Sequence, residues 1–281
     1  MDSYVKFEQE IDSFWSGQGE SNTRMFWGAD GIPVPNYALL EKLLTRSLQD
    51  GDSTQSGGLA KGLDMWLAEE LRAAGFDDDA VWPRVHEPRV LDPEIGRFVA
   101  ALPKDLKQAC EQKLGRGGSA TANVQGAVYE KQIDVGMSSW LTGPEILIST
   151  KTMSGSFGKN LANRFEEAYG DAMNLRKRYP LAAIGFFFLV NESIAQNAAE
   201  LSKAITMLRK LQEDGVYTAS ALLLVDLSDG RAVVAQQTKH VPGELSVPTF
   251  LGKIVEVAIL HGSVRSHQTV REKAHAVDVM L

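Results

Sequence analysis

The feature that most limits the fold of this chain is a continuous apolar run, LAAIGFFFLV, from Leu181 to Val190. A strand that is apolar on both faces is typical of a sheet that helices cover on both sides. The run is too short to cross a bilayer, which takes about 20 apolar residues in a helix. The sequence therefore predicts a fully buried strand inside a layered fold.

Apolar periodicity and turn residues place further elements on both sides of this strand. Before it, the sequence predicts helices at Tyr4–Trp15 and Tyr37–Leu48, a helix from Leu59 that ends at Gly75, an edge strand at Ala80–Val85, a short helix at Lys104–Leu114, a mobile loop at Gly115–Gly126, strands at Ala127–Met137 and Pro144–Met153, and a helix at Lys159–Arg178. After it, the sequence predicts a helix at Ile194–Gln212, a hairpin turning at Asp229-Gly230, a helix at Val247–His261 and a polar, basic tail.

Long apolar strands with covering helices predict an α/β or α+β fold, in which helices flank a central mixed sheet. We expect an N-terminal helical region over residues 1–58 and a core over residues 59–190 with an insertion at 87–127. Residues 191–281 form a C-terminal extension packed on that core, within one domain overall. A chain of 281 residues is long enough to bury a substantial core.

Composition excludes several classes of protein. The net charge of −7 excludes a strongly cationic nucleic-acid binder, although a locally basic groove remains compatible with it. The single cysteine, Cys110, excludes disulfides and cysteine-based zinc sites, and the five histidines show no metal-ligand spacing. The opening residues lack the pattern of a signal peptide. We therefore expect a cytoplasmic protein with no membrane segment.

The strand EILISTK ends in a lysine, Lys151, and a charged lysine is rarely buried without a partner. Strand alternation places Ser149 and Lys151 on the same face as Glu145 and Leu147. The short connection SSWLTG predicts that this strand pairs with the preceding one, where Glu130, Gln132 and Asp134 share a face. We therefore expect Asp134 and Lys151 to lie side by side at one end of the sheet.

An aspartate and a lysine at adjoining strand ends suit metal-assisted hydrolysis of a phosphodiester. The carboxylate of Asp134 would hold Mg²⁺, a cation that prefers oxygen ligands. Lys151 would orient the attacking water and stabilise charge on the phosphate oxygens. The helix that follows supplies a second carboxylate, because Glu166 lies to one side of its apolar stripe, within reach of the sheet edge. Glu167 lies nearly opposite the stripe.

This pattern resembles the PD-(D/E)XK nuclease superfamily, which includes the type II restriction endonucleases. Asp134 matches the first acid of the motif, and Ser149-Thr150-Lys151 matches its tripeptide. Ile133 stands in place of the motif's proline, and Ser149 stands in place of its second acid. A subset of restriction enzymes has S-X-K here and takes the missing glutamate from the following helix, where Glu166 stands fifteen residues after Lys151.

The resemblance covers about residues 59–190 and implies a restriction-endonuclease-like αβββαβ core. It also implies an acid on the first core helix, carried over here to Asp64, eleven residues before Gly75. The implied catalytic set is Asp134, Lys151, Glu166, Ser149 and Asp64, and the implied metal ligands are Asp134, Glu166 and Thr150. Glu167 is the alternative to Glu166, and Glu69 and Glu70 are the alternatives to Asp64.

The activity that follows is cleavage of double-stranded DNA by a homodimer that uses Mg²⁺, with Mn²⁺ as a substitute, in restriction of foreign DNA. The candidate phosphate contacts are basic side chains before and after the two strands: Lys104, Lys107, Lys113, Arg116, Lys159, Arg164 and Arg176-Lys177-Arg178. Two alternatives remain: a repair or resolvase nuclease, and a DNA-binding or assembly protein in which Ser149 marks a decayed site.

Each candidate residue also has a structural interpretation. Lys151 can be a strand-end lysine whose ammonium simply reaches water. Asp134 can open a turn before Gly136. Glu166 and Asp64 can be solvated helix residues. The catalytic interpretation requires the side chains of Asp134, Lys151, Glu166 and Asp64 to lie close together, whereas the structural interpretation does not.

Overall fold

The computed structural model of the chain describes residues 4–17, 24–51, 57–84, 88–117, 122–235, 239–263 and 266–278. Its helices are α1 (Val5–Ser16), α2 (Tyr37–Gln49), α3 (Gly58–Ala74), α4 (Pro93–Ala100), α5 (Lys104–Gly117), α6 (Phe157–Arg178), α7 (Ala198–Glu213), α8 (Val247–His261) and α9 (Gln268–Asp278). Its strands are β1 (Val81–Trp82), β2 (Asn123–Gln125), β3 (Glu130–Gln132), β4 (Val135–Ser139), β5 (Gly143–Met153), β6 (Ala183–Asn191), β7 (Ala219–Asp226) and β8 (Val233–Val234).

Six of these strands form one mixed sheet in the order β1-β4-β5-β6-β7-β8. Strand β4 runs antiparallel to both β1 and β5, whereas β5, β6 and β7 are parallel to one another and β8 is antiparallel to β7. Helices cover both faces of the sheet. The predicted α/β fold with a central mixed sheet flanked by helices is therefore confirmed.

The central strand β6 is buried on both faces, as its sequence predicts. Phe187 points to the layer that contains α3 and α8, where its ring lies 5.9 Å from that of Trp66. Phe188 points to the opposite layer, where its ring lies 6.1 Å from that of Phe165 on α6. Because neither face meets water, β6 needs no polar alternation.

Helix α3 is buried along almost its whole length. Almost every residue from Gly58 to Ala74 is buried, because α2 and α8 pack on it from outside while β4 and β5 lie beneath it. The helix ends at Gly75, which adopts a left-handed backbone conformation with a φ of 110°, as the sequence predicts. The three acids of this helix, Asp64, Glu69 and Glu70, are therefore buried.

The predicted single strand at Ala127–Met137 is wrong. The segment forms two strands, β3 and β4, that belong to different sheets, because β3 pairs with β2 in a separate two-stranded ribbon. The backbone changes partner between two consecutive residues: Ile133 N donates to Ala122 O at 2.9 Å, and Asp134 N donates to Ile148 O at 3.2 Å. Asp134 therefore lies at the crossing point between the two sheets.

Other predicted boundaries also change. Helix α5 runs on to Gly117, so part of the predicted loop at Gly115–Gly126 is helical and part forms β2, while residues 118–121 lie outside the described part. Helix α4 was not predicted; the Asp92 side chain caps it by accepting a hydrogen bond from Ile95 N at 3.0 Å. The tail predicted as polar and basic contains a helix, α9, that the sequence analysis does not predict.

The C-terminal part of the chain extends the same sheet, since β7 pairs with β6 over seven residue positions. The predicted hairpin is confirmed: β7 and β8 are antiparallel, and Asp229 and Gly230 in their connection both have positive φ. The domain limits at residues 58 and 190 stay a prediction. Over the described ranges, no helix is long and apolar enough to cross a bilayer.

Candidate functional site

Asp134 and the tripeptide Ser149-Thr150-Lys151 meet at one end of the sheet. The Thr150 backbone N–H donates a 2.8 Å hydrogen bond to Oδ2 of Asp134. Burial raises the pKa of the Asp134 carboxyl, although the Thr150 hydrogen bond and the nearby Lys151 charge act in the opposite direction. The prediction that β4 and β5 are antiparallel neighbours is confirmed.

Asp64 reaches the same place from α3. The Thr150 hydroxyl donates a 2.6 Å hydrogen bond to Oδ1 of Asp64. Burial raises the pKa of Asp64 well above its usual range, and the neighbouring carboxylate of Asp134 raises it further. Thr150 thus binds both acids, one through its backbone and one through its side chain.

The alternative acids on α3, Glu69 and Glu70, make contacts elsewhere in the fold. Glu69 pairs with the buried Arg72 at 3.0 Å. Glu70 accepts a 2.8 Å hydrogen bond from Asn36 N at the start of α2. Of the three acids considered on this helix, Asp64 is therefore the one joined to Thr150.

Lys151 lies on the α6 side of the sheet, and its side chain is 22 % exposed. Its Nζ lies 3.8 Å from Oε1 of Glu167, while Arg164 contacts the other carboxylate oxygen, Oε2, at 3.4 Å. Ser149 precedes it on the same face and is buried. Lys151 is therefore held near the acids but remains open to solvent.

The sequence predicts that Glu166 reaches the sheet edge and that Glu167 lies away from it, but the contacts differ from this expectation. Both side chains are exposed, but Glu167 is the one whose carboxylate contacts Lys151. Within the described part of the chain, the carboxylate of Glu166 makes no hydrogen bond or ion pair. Its assignment as the second metal ligand stays a prediction, and the geometry favours Glu167 as the α6 carboxylate nearest the lysine.

Sequence reasoning missed Asp171, one helical turn beyond Glu167. Asp171 is buried; its Oδ1 accepts a 2.9 Å hydrogen bond from the Tyr129 hydroxyl, and its other oxygen pairs with Lys131 of β3. Its charge contributes to the raised pKa of Asp134. A signal was present, because Asp171 interrupts the apolar stripe formed by Ala168, Ala172 and Leu175.

The carboxylates of Asp64 and Asp134 can be compared with the ligand sets that hold Mg²⁺ in proteins. The hydrogen bonds to Thr150 use one oxygen of Asp64 and one of Asp134. Proteins often hold Mg²⁺ through one or two carboxylates, with water and phosphate oxygens filling the other positions. Within the described ranges, no three His, Cys, Asp or Glu side chains form a metal-binding cluster. The donor set therefore fits a Mg²⁺ held by two carboxylates, and does not fit a closed, all-protein metal centre.

The candidate phosphate contacts fall into different environments. The guanidinium of Arg176 makes hydrogen bonds inside the protein, because it donates to Ala182 O and to the Thr218 hydroxyl, both at 2.9 Å. Lys177 and Arg178 are exposed at the end of α6, and Lys104 and Lys113 are exposed on α5. The side chains of Arg116 and Lys159 lie outside the described part.

Comparisons of the chain with protein-family models, with curated proteins and with solved structures give no match. The function therefore has to be argued from the positions of the side chains themselves.

Proposed function

We propose that this protein is a Mg²⁺-dependent endonuclease that hydrolyses phosphodiester bonds of double-stranded DNA, in the manner of the PD-(D/E)XK restriction enzymes. One observation carries the proposal. Thr150 is hydrogen-bonded both to Asp64, 86 residues away, and to Asp134, with Lys151 next in the chain. Acids on a helix and at a strand end, beside a strand-end lysine, are the arrangement that the resemblance implies.

The order of elements supports the same proposal. The sequence α3, β1, β4, β5, α6, β6 follows the αβββαβ order of that superfamily, with β1, β4 and β5 antiparallel in turn and β6 parallel to β5. The segment between β1 and β4 holds the insertion with α4, α5 and the β2–β3 ribbon.

The two acids would hold the metal. Asp64 is buried and Asp134 is partly buried, and the charge of Asp134 raises the pKa of Asp64. A bound Mg²⁺ would remove that repulsion, polarise the scissile phosphate and lower the pKa of an attacking water. Thr150 fixes the orientation of both carboxylates, so little reorganisation is needed when substrate binds.

Lys151 would act on the phosphate directly. Its side chain is partly exposed and its charge acts on Asp134, so the ammonium can orient water and stabilise negative charge on the phosphate oxygens. Glu167 restrains the lysine from the α6 side at 3.8 Å, a distance typical of a loose ion pair. The neighbouring Lys131–Asp171 pair adds a second cation at the same edge.

We further propose that the enzyme is a cytoplasmic homodimer, since cutting both strands of a palindrome takes two sites. A second candidate is a DNA-binding or assembly protein without catalysis. Two features favour it: Ser149 replaces an acid of the motif, and the described residues hold no three-ligand metal cluster.

Incubation with a mixture of supercoiled plasmids separates the two candidates. The purified protein should cut DNA with Mg²⁺ or Mn²⁺ and not with EDTA, and Asp134→Asn should lose the activity. Asp229→Asn is the matched control, because Asp229 is exposed in a turn and has a positive φ that asparagine accepts. DNA binding without cleavage under all these conditions would favour the second candidate.

A further inference from the structure

The two-stranded ribbon of β2 and β3 presents a polar face to solvent. Asn123 pairs with Gln132 and Gln125 pairs with Glu130, and these four side chains share the outer face. Gln125, Glu130 and Gln132 are exposed. The inner face, formed by Val124 and Lys131, turns towards the body of the protein.

The ribbon is fixed to α6 through its turn. Oδ1 of Asn174 accepts a 2.8 Å hydrogen bond from Val128 N, and its Nδ2 donates to Tyr129 O at 2.9 Å. The Tyr179 hydroxyl donates to Gln125 O at 2.8 Å. The outer side chains therefore stand on a hydrogen-bonded support. Within that face, Asn123 Nδ2 donates to Oε1 of Glu130 at 2.9 Å, and Gln125 Nε2 donates to Gly126 O at 3.4 Å.

The chemistry of the outer face favours nucleobases over phosphates. Phosphate binding depends on Lys and Arg, whereas the outer face carries amides and one carboxylate. Asn and Gln bond the N6 and N7 edge of adenine, and Glu accepts from N4 of cytosine. Cations stand beside the ribbon instead: Arg178 packs over the ring of Tyr179 at 5.8 Å, and Lys177 is exposed next to it.

The position of the ribbon fits the same ligand. A two-stranded ribbon is narrow enough to enter the major groove of B-form DNA, which is about 12 Å wide. Gln132, at the end of β3, precedes Asp134 by two residues, so the ribbon is joined directly to the strand end that carries the candidate site. The inner residue Lys131 already contacts Asp171 in that site.

We propose that the β2–β3 ribbon reads base edges in the major groove and determines which DNA sequence is bound. The inference rests on the proposed DNA endonuclease function and deepens it. Gln125, Glu130 and Gln132 supply the sequence-specific contacts, while Arg178 and Lys177 contact the backbone and carry no sequence information.

The test is selection of bound duplexes from a randomised library, with the full-length protein in Ca²⁺ and no Mg²⁺. The wild type should enrich one sequence. Gln125→Ala and Gln132→Ala should each reduce the preference at one or two base positions by about tenfold or more, while affinity for unselected DNA and its salt dependence stay the same. Arg178→Ala should instead weaken binding to all sequences and reduce the salt dependence.

Substitution of 7-deaza-adenine in the selected sequence should reproduce the effect of the glutamine variants, because it removes only a major-groove acceptor. Equal thermal stability of the variants shows that the ribbon is intact. Variants that keep the full sequence preference, or that lose binding to all sequences alike, overturn the inference and leave the endonuclease proposal standing. A wild-type protein that neither binds nor cuts duplex DNA overturns both.

Discussion

Glu167, and not Glu166, is the α6 carboxylate that contacts Lys151, with 3.8 Å between Oε1 and Nζ. The charge of Lys151 also acts on Asp134, where it opposes the effect of burial on the pKa of the carboxyl. The lysine is thereby held at the sheet edge without being buried.

Lys151→Ala should abolish DNA cleavage while leaving folding and DNA binding nearly unchanged. The lysine is partly exposed, and the apolar residues Ile146 and Ile148 hold the opposite face of β5, so the loss of stability should stay below about 1 kcal/mol. Removing one preorganised electrostatic contact typically lowers a rate by about 10²–10³. Single-turnover cleavage and thermal melting measure the two effects. Lys210→Ala, at an exposed ion pair on α7, is the control. Equal cleavage rates for the Lys151 variant and its parent would refute the assignment.

Asp134→Ala should lose Mn²⁺ binding in calorimetry, since Asp134 is the acid at the strand end that Thr150 orients. On α6, Glu167→Ala should weaken binding about tenfold more than Glu166→Ala, because groups that support a metal site typically contribute 10- to 100-fold in affinity. The two glutamates are adjacent and both exposed, so each serves as a control for the other. A larger effect of Glu166→Ala would restore Glu166 as the ligand predicted from the sequence.

Asp64→Asn should remove activity and leave the protein at least as stable as the wild type. The asparagine Oδ1 can still accept the hydrogen bond from Thr150, and the substitution removes a carboxyl whose ionisation is opposed by burial and by Asp134. Chemical denaturation at neutral pH and plasmid cleavage measure the two properties together. A strongly destabilised Asp64→Asn protein would mean that the carboxylate stabilises the fold.

Glu70 makes folding stability depend on pH. Burial raises its pKa from 4.5 to about 8. The folded protein therefore keeps a proton that the unfolded chain releases near pH 4.5, so the contribution of Glu70 to stability is fully present below that pH and is lost as the pH rises to about 8. Each pKa unit is worth about 1.4 kcal/mol, which makes the total on the order of a few kcal/mol. Denaturation of Glu70→Gln should show a weaker fall over this range, whereas Glu213→Gln, exposed on α7, should follow the wild type.

Gly126→Ala should release the β2–β3 ribbon from α6. A Cβ at this position would lie 2.0 Å from Nδ2 of Asn174, whose amide holds the ribbon turn. We expect a loss of about 1–3 kcal/mol, because the buried Asn174 would lose its partners. Gly170→Ala is the matched control, since its Cβ would meet open space and alanine favours a helix by about 0.5–1 kcal/mol. Urea denaturation measures both; a neutral Gly126→Ala would mean that Asn174 does not hold the ribbon.

Strand alternation and helix periodicity were enough to predict the neighbourhood of Asp134 and Lys151 and the end of α3 at Gly75, because these depend on local sequence. The choice among acids on α6 was not predictable in the same way. It depends on the rotation of the helix against the sheet, which tertiary packing sets. Asp171 is different, because its place in the apolar stripe of α6 already indicated a buried acid. The chain crossing at Ile133 and Asp134 was missed because residues 127–137 keep the composition of a strand while the backbone changes hydrogen-bond partner. Helix α9 was missed because contacts far away in sequence support it, including the 2.6 Å contact between His267 and Glu145.

The hydrogen bond between Thr150 and Asp64 spans 86 residues, so the candidate site is a product of high contact order. During synthesis, α3 emerges first with its acid in place but with no partner, and Lys151 follows much later. Strand β5 gains its parallel neighbour only when β6 has emerged. A nascent or partly folded chain therefore contains α3 and β5 without the contact between Asp64 and Thr150. We expect hydrolysis only from chains in which the whole sheet has formed.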